Sequence, residues 1–217
     1  MVQTPLPLRG GNGSRTIAFP PEPIWRFTLE QYHAMVRSQV LTEANALEFL
    51  DGFLVPKMVK KPAHRISTRL VRQILEQWIP AGYYVDSQEP ITLGGSEPEP
   101  DVAVILGKTT DYRDRHPGAA EVLLVVEVAE ATLERDRGLK KRLYAAEGIA
   151  DYWILNLVDR QLECYSDPQV APDLAPEGVE QMGVVYQRCE VLGESASLSF
   201  PWVLDPGVSL PTVGDLL

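Results

Sequence analysis

Cysteine, histidine and positive charge are all scarce in this chain of 217 residues. Cys164 and Cys189 are too few for a disulfide framework, and a chain of this length buries enough surface to hold a core without one; each thiol is expected to be a small core residue in a strand. His33, His64 and His116 are far apart and show no ligand spacing, which points to structural or surface roles rather than zinc binding. Long apolar runs are missing as well. A membrane span needs roughly 18 consecutive apolar residues, and the longest strongly apolar stretch, Val122 to Val126, has the length of a buried strand, so no membrane partner is expected. Lys and Arg number 20 against 30 Asp and Glu, a formal charge of −10. That balance disfavours nonspecific coating of nucleic acid but leaves room for a local basic groove, since phosphates respond to charge within a Debye length of about 8 to 10 Å. Two familiar chemistries are also excluded. Gly10-Gly11-Asn12-Gly13 follows no strand and ends in no lysine-serine or lysine-threonine pair, so it is no phosphate loop, and no serine sits in a nucleophile elbow.

What remains is an ordinary globular composition, 45% apolar and 23% charged, which predicts a single domain over 24–217. Residues 1–23 hold Pro5, Pro7, Gly10, Gly11, Gly13, Pro20, Pro21 and Pro23 without the basic region and apolar run of a secretory signal; they read as a flexible tail, and the cytoplasm is the expected compartment.

Thr28-Leu29-Glu30-Gln31 fits a capping box that starts a short helix, Leu29 to about Ser38. Asp51-Gly52, flanked by Leu47, Phe49, Phe53 and Val55 at strand spacing, predicts a hairpin over Ala46 to Val55. Ile66, Leu70, Ile74, Leu75 and Trp78 recur at helical intervals from His64 to Ile79, with Arg65, Arg69 and Arg72 on another face. Short strands are expected at Tyr83–Val85, Pro90–Leu93 and Asp101–Leu106. Val122 to Val126 lacks alternation and should be a central strand covered on both faces. A helix over Leu133–Glu147 stops at Gly148, strands follow at Tyr152–Asn156 and Gln161–Tyr165, a surface loop spans Asp167–Gly183, and Val184–Val191 with Ser197–Phe200 make a β-rich end. Trp202, with Pro201 and Pro206, is expected to cover a sheet edge or meet another subunit. The fold class is therefore α/β: a mixed central β-sheet flanked by helices, with a β-rich C-terminal extension and a right-handed crossover over Val122 to Asn156.

Three side chains carry the chemistry. Asp101 opens one strand, and Glu127 sits at the end of the next in an otherwise apolar run. Burying Glu127 costs several kcal/mol unless a metal, a cation or a proton accompanies it. Two carboxylates on adjacent strands offer the hard oxygen donors that Mg²⁺ prefers. Lys140, one turn before Tyr144 on the following helix, can swing its amine back over the strand ends; Lys141 points about 100° away and cannot face the same site. Each residue alone reads as a solvated charge, and their chain order makes the case.

Pro100-Asp101-Val102-Ala103-Val104, Val125-Val126-Glu127-Val128, Asp136-Arg137-Gly138-Leu139-Lys140 with Tyr144-Ala145, and Gly148 through Ile154 together resemble the Uma-type putative restriction endonuclease family of the PD-(D/E)XK nuclease superfamily. Glu48 through Leu54 and the Thr28–Tyr32 helix start extend the resemblance from about residue 26 to the carboxyl end. It implies a restriction endonuclease-like fold and a divalent cation, Mg²⁺ with Mn²⁺ as an alternative, held by Asp101, Glu127 and the Val128 carbonyl. It also implies Lys140 as the catalytic amine, Glu48 as an accessory residue, DNA as the expected nucleic acid, and pairing into homodimers. The chain departs from the superfamily's commonest form, which has a lysine two residues after the glutamate where Ala129 stands here. Glu130 and Ala131 precede Thr132 where relatives often carry a small hydroxyl residue. The leading expectation is a metal-dependent nuclease; the competing one is a nucleic-acid-binding or interaction module that keeps the fold without turnover, and a third is hydrolysis of a different phosphodiester. Lys57, Lys60, Lys61, Arg65, Arg69 and Arg72 form the one basic tract, read equally as a phosphate contact or a solvated face.

Overall fold

The computed structural model describes residues 24–171, 183–203 and 209–217. The expected tail over 1–23, residues 172–182 of the expected loop, and Pro206 lie outside them. Thr28 caps α1 (Leu29–Arg37) through the reciprocal bonds of a capping box: its hydroxyl accepts the Gln31 N–H at 3.2 Å and the Gln31 side chain accepts the Thr28 N–H at 2.9 Å. Strands β1 (Leu47–Leu50) and β2 (Phe53–Pro56) form the hairpin. Both turn residues have positive φ, 50° at Asp51 and 79° at Gly52, and a Cβ on Gly52 would meet Arg26 Cβ at 2.7 Å, so glycine is required there. Helix α2 (Pro62–Trp78) starts two residues before the expected His64 because Pro62, which needs no N–H partner, takes the first helical position.

Six strands build the main sheet in the order β3 (Tyr83–Asp86), β4 (Val102–Leu106), β5 (Val122–Ala129), β6 (Asp151–Asn156), β7 (Gln161–Ala171) and β8 (Gly183–Gly193). Every neighbouring pair is antiparallel except β5–β6, which is parallel. The helical connection across that pair runs through α3 (Leu133–Arg135), a π-helical turn at Asp136–Lys140, and α4 (Lys141–Ala146). Alternate residues of β5 serve two cores. Leu124, Val126 and Val128 pack with Val71 and Leu75 of α2, whereas Val125 and Ala129 pack with Tyr144, Ile149 and Tyr152 on the α4 side. Glu127 shares that second face by parity.

Three expected elements come out differently. Pro90–Leu93 is not a strand: Pro90, Pro98 and Pro100 lack donors, and the segment folds back on its own loop through Ile91 N–H to Pro98 O at 3.0 Å and Leu93 N–H to Ser96 O at 2.9 Å. Ser197–Phe200 makes one bridge, Ser197 to Thr212, and Phe200 instead stacks on Trp78. Asp167–Ala171, expected to open the loop, instead belong to β7: Asp167 takes a φ of 60° and pairing resumes at Pro168 opposite Tyr186. Cys164 is half-buried, but Cys189 on the edge strand β8 is exposed rather than a core residue. Trp202 donates its indole N–H to Trp78 O at 2.7 Å and so closes the end of α2. No helix among the described residues is long and apolar enough to cross a membrane.

Candidate active site

Antiparallel pairing places Val102 opposite Val126, and the same register carried one residue further sets Asp101 across from Glu127 at the end of β4. Past that point β5 has no strand partner on this edge, so the Val128 N–H goes to Asp101 Oδ2 at 3.0 Å. A strand residue's N–H and carbonyl leave on the same edge, which turns the Val128 carbonyl toward the same space. His64, in the first turn of α2, places its Nε2 3.0 Å from the same Asp101 oxygen and donates to it. Asp101 is thus held both by the neighbouring strand β5 and by α2.

The amine comes from the helix over the other face. In the π turn the Lys141 N–H reaches back to Asp136 O, and that carbonyl also accepts the Tyr152 hydroxyl at 3.1 Å. The wide turn keeps Asp136 and Lys140 both buried against the sheet. Lys140 Nζ bonds Glu127 Oε1 at 2.9 Å and Glu48 Oε1 at 2.8 Å, and Tyr144 donates its hydroxyl to the same Glu127 oxygen at 2.8 Å. Ala129, on the same face as Glu127, is sealed in the core beneath the helix, which is why the ammonium arrives from Lys140. Lys141 lies elsewhere, its ammonium 4.7 Å over the Tyr165 ring.

Four carboxylates, Glu48, Asp101, Glu127 and Asp136, surround one buried ammonium, and their protonation follows from that imbalance. Burial pushes Glu127 up to about 8, with Lys140 offsetting only part of the effect and Asp136, Asp101 and Glu48 adding to it. Burial would also raise Glu48, but Lys140, the Glu99 N–H and Arg135 bring it below the ordinary carboxylate value. Desolvation works against the Lys140 ammonium, and the neighbouring carboxylates outweigh it and raise its pKa well above the usual lysine value. Burial keeps the Tyr144 phenol protonated far above its ordinary range, so it remains a donor to Glu127.

These groups line a cavity of about 70 Å³, room for a few water molecules. Lys57, Met58, Val59, Lys60 and Lys61 form its rim, so the first half of the basic tract borders the carboxylates. Lys57 pairs with Glu99 at 2.5 Å and Lys61 with Glu130 at 2.7 Å, while Arg72 turns to Glu76 on its own helix at 2.9 Å. Glu130 is thereby a rim residue.

Of the residues singled out in the sequence, Glu48, Asp101, Glu127 and Lys140 line this cavity, and Val128 adjoins it through its N–H bond to Asp101. Sequence reasoning missed His64, assigned to structure or surface, and Asp136, noted only within its motif. Their sole signals were helical spacing, four residues before Thr68 for the first and four before Lys140 for the second. The residues fit a hard divalent cation. Among the described residues Asp101 Oδ1 and Glu127 Oε2 have no hydrogen-bond partner, so each carboxylate keeps one oxygen for the cavity. No three His, Cys, Asp or Glu side chains among the described residues gather closely enough to hold an ion alone.

The chain folds as a mixed sheet with α2 packed on one face and α4 on the other. The crystal structure of a putative nuclease belonging to DUF820 from Anabaena variabilis ATCC 29413 shares it, with a TM-score of 0.58 at 14% identity over 89% of this chain and 97% of that one. The chain belongs to the Uma2 family, described as putative restriction endonuclease, whose family model matches residues 29–201. Weaker likenesses are to NucC from E. coli MS115-1 in its apo form (TM-score 0.28, 14% identity, 74% of this chain and 56% of that chain) and to NucC from P. aeruginosa ATCC27853 in its cAAA-bound form (0.29, 16%, 60% and 49%). No curated protein shows significant similarity to the chain.

Proposed function

We propose that the protein is a metal-dependent nuclease that hydrolyses phosphodiester bonds in DNA. The observation that carries this reading is the buried Lys140 ammonium, 2.8 Å from Glu48 and 2.9 Å from Glu127, in the cavity that Asp101 also lines. Asp101, Glu127 and the Val128 carbonyl would hold the cation, Mg²⁺ or Mn²⁺, which when bound polarises a phosphoryl oxygen and lowers the pKa of a water. Lys140 keeps its proton, so it acts as a fixed positive donor that orients the attacking water and offsets charge developing on phosphorus. Glu48 holds that ammonium from the side away from Glu127, and Tyr144 fixes the Glu127 carboxyl. His64 keeps Asp101 turned so that Oδ1 faces the cavity. The lysines of the rim supply contacts to the phosphate backbone, which is what brings an acidic protein to nucleic acid.

The test is cleavage of plasmid and linear DNA with Mg²⁺ or Mn²⁺ by the wild type, Asp101→Asn and Lys140→Met, with circular dichroism to verify folding. Wild-type cleavage that requires the cation and disappears in both folded variants is the expected outcome; cleavage unchanged in both would falsify the proposal. One observation favours a second reading, a nucleic-acid-binding module without turnover: Lys140 already bridges two of the carboxylates, Glu48 and Glu127. Binding of DNA with no hydrolysis under either cation distinguishes it.

A further inference from the structure

Two buried side-chain polar atoms among the described residues have no hydrogen-bond partner, Arg135 Nε and Asp136 Oδ1. Both residues line the same cavity, together with Asp101 and Glu127. Buried polar groups are nearly always satisfied, and an orphaned acceptor is destabilising. Polar groups elsewhere in the buried interior, such as Glu163 and Asn156, have partners, so the deficit is confined to the wall of one cavity. Asp136 is only 1% exposed, so bulk water does not supply the missing donor, and Asp136 lines the cavity, where a bound donor would meet it.

The surrounding geometry narrows that donor. Lys140 Nζ is engaged by Glu48 and Glu127, and among the described residues Asp136 cannot join Asp101 and Glu127 as a third direct ligand. A cation seated on Asp101 Oδ1 and Glu127 Oε2 keeps most of its waters, and those waters are strong donors. We propose that Asp136 is a further residue of the cation site, whose Oδ1 accepts a hydrogen bond from a water that the bound cation carries. It is a positioning residue that acts through that water. This inference rests on the reading of Asp101 and Glu127 as the cation's ligands and adds an acceptor to them.

Calorimetric titration of the full-length chain with Mn²⁺ tests it, using the wild type, Asp136→Asn and Asp101→Asn, with thermal melts recorded in the absence of metal. Asp136→Asn is expected to weaken Mn²⁺ binding about tenfold or more, the usual effect of losing an outer-sphere partner. Its metal-free melting temperature should stay unchanged or rise, because a neutral amide replaces a carboxylate that burial disfavours. Mn²⁺ affinity within twofold of the wild type in Asp136→Asn, with binding lost in Asp101→Asn, overturns this inference and leaves the proposed function standing. Absence of Mn²⁺ binding by the wild type overturns both. Should Asp136→Asn fail to fold, wild-type crystals soaked in Mn²⁺ decide: an anomalous peak at Asp101 and Glu127 with a water bridging to Asp136 Oδ1 supports the inference. A direct Mn²⁺ contact to Asp136, or no bridging water, refutes it.

Discussion

Glu127 and Glu163 lie on one face of the sheet in a single cross-strand row, Glu127 opposite Ile154 and Ile154 opposite Glu163. Both are sealed from solvent, and each receives its cation from the same π turn, Lys140 for the first and Arg137 for the second. The number of donors separates them. Arg137 meets Glu163 with two nitrogens, Nε at 3.0 Å from Oε2 and a terminal nitrogen at 2.6 Å from Oε1, while Tyr165 adds a bond at 2.8 Å and Asn156 one at 3.2 Å. Burial alone would raise the Glu163 carboxyl, and these donors bring it below its ordinary value. Glu127 receives two donors on one oxygen, shares its ammonium with Glu48, and is pushed up to about 8. A carboxylate saturated on both oxygens fastens helix to sheet. One with an oxygen facing a cavity retains the capacity to take a further cation.

Exchanging each acid for its neutral isostere breaks the comparison most sharply. Glu127→Gln is expected to lower metal-dependent cleavage by about two to three orders of magnitude. It should cost less stability at pH 7 than Glu163→Gln does, since burial already raises the affinity of the folded Glu127 carboxyl for a proton. Glu163→Gln is expected to leave cleavage close to wild type and to cost about 2 kcal/mol in urea denaturation, because a guanidinium then faces an uncharged amide. A variant pair in which both properties fall together would dissolve the distinction.

The pH profile of stability sharpens it further. Glu127 binds a proton in the folded state over a window, from the ordinary carboxylate range to about 8, in which the unfolded chain has lost it. The folded state therefore holds more protons there, and the Glu127 contribution to stability declines as pH rises through that window. Glu163 has the opposite sign: its lowered folded pKa contributes stability above the unfolded value, lost as pH falls through the folded one. Melting temperatures from pH 3 to 9 should show Glu127→Gln flattening the decline on the alkaline side and Glu163→Gln flattening the loss on the acid side.

Smaller effects follow from the cations. Arg137→Lys keeps the charge but surrenders the fork that meets both Glu163 oxygens, for an expected loss of about 1 kcal/mol with cleavage retained. Lys60→Gln on the rim should leave folding within about 0.5 kcal/mol. In DNA binding measured across salt concentrations, it should make the dependence of log affinity on log salt shallower by about one unit.

Much of this arrangement was legible in the chain because it is written in local pattern. The capping box at Thr28, the Asp51-Gly52 turn, the apolar run ending at Glu127 and the helical spacing of Lys140 and Tyr144 each depend on neighbours a few residues away. Pro90–Leu93 misled for a related reason: its strand-like side chains are overruled by prolines that leave few donors to pair. The partner of Glu163 was not legible, since Arg137 lies in a different element and its reach depends on how the helix seats on the sheet. His64 was passed over because its single relevant neighbour, Asp101, is 37 residues away.

From the sequence by itself came most of the elements, their order, and the candidate acids and amine, because backbone preferences and motif spacing are short-range. Only the tertiary structure decided which acids share an ammonium, which keeps an oxygen for the cavity, and that a π turn points Lys140 and Arg137 at two different glutamates. Those outcomes depend on strand register and helix seating, where a one-residue slip would turn Glu127 to the opposite face of the sheet.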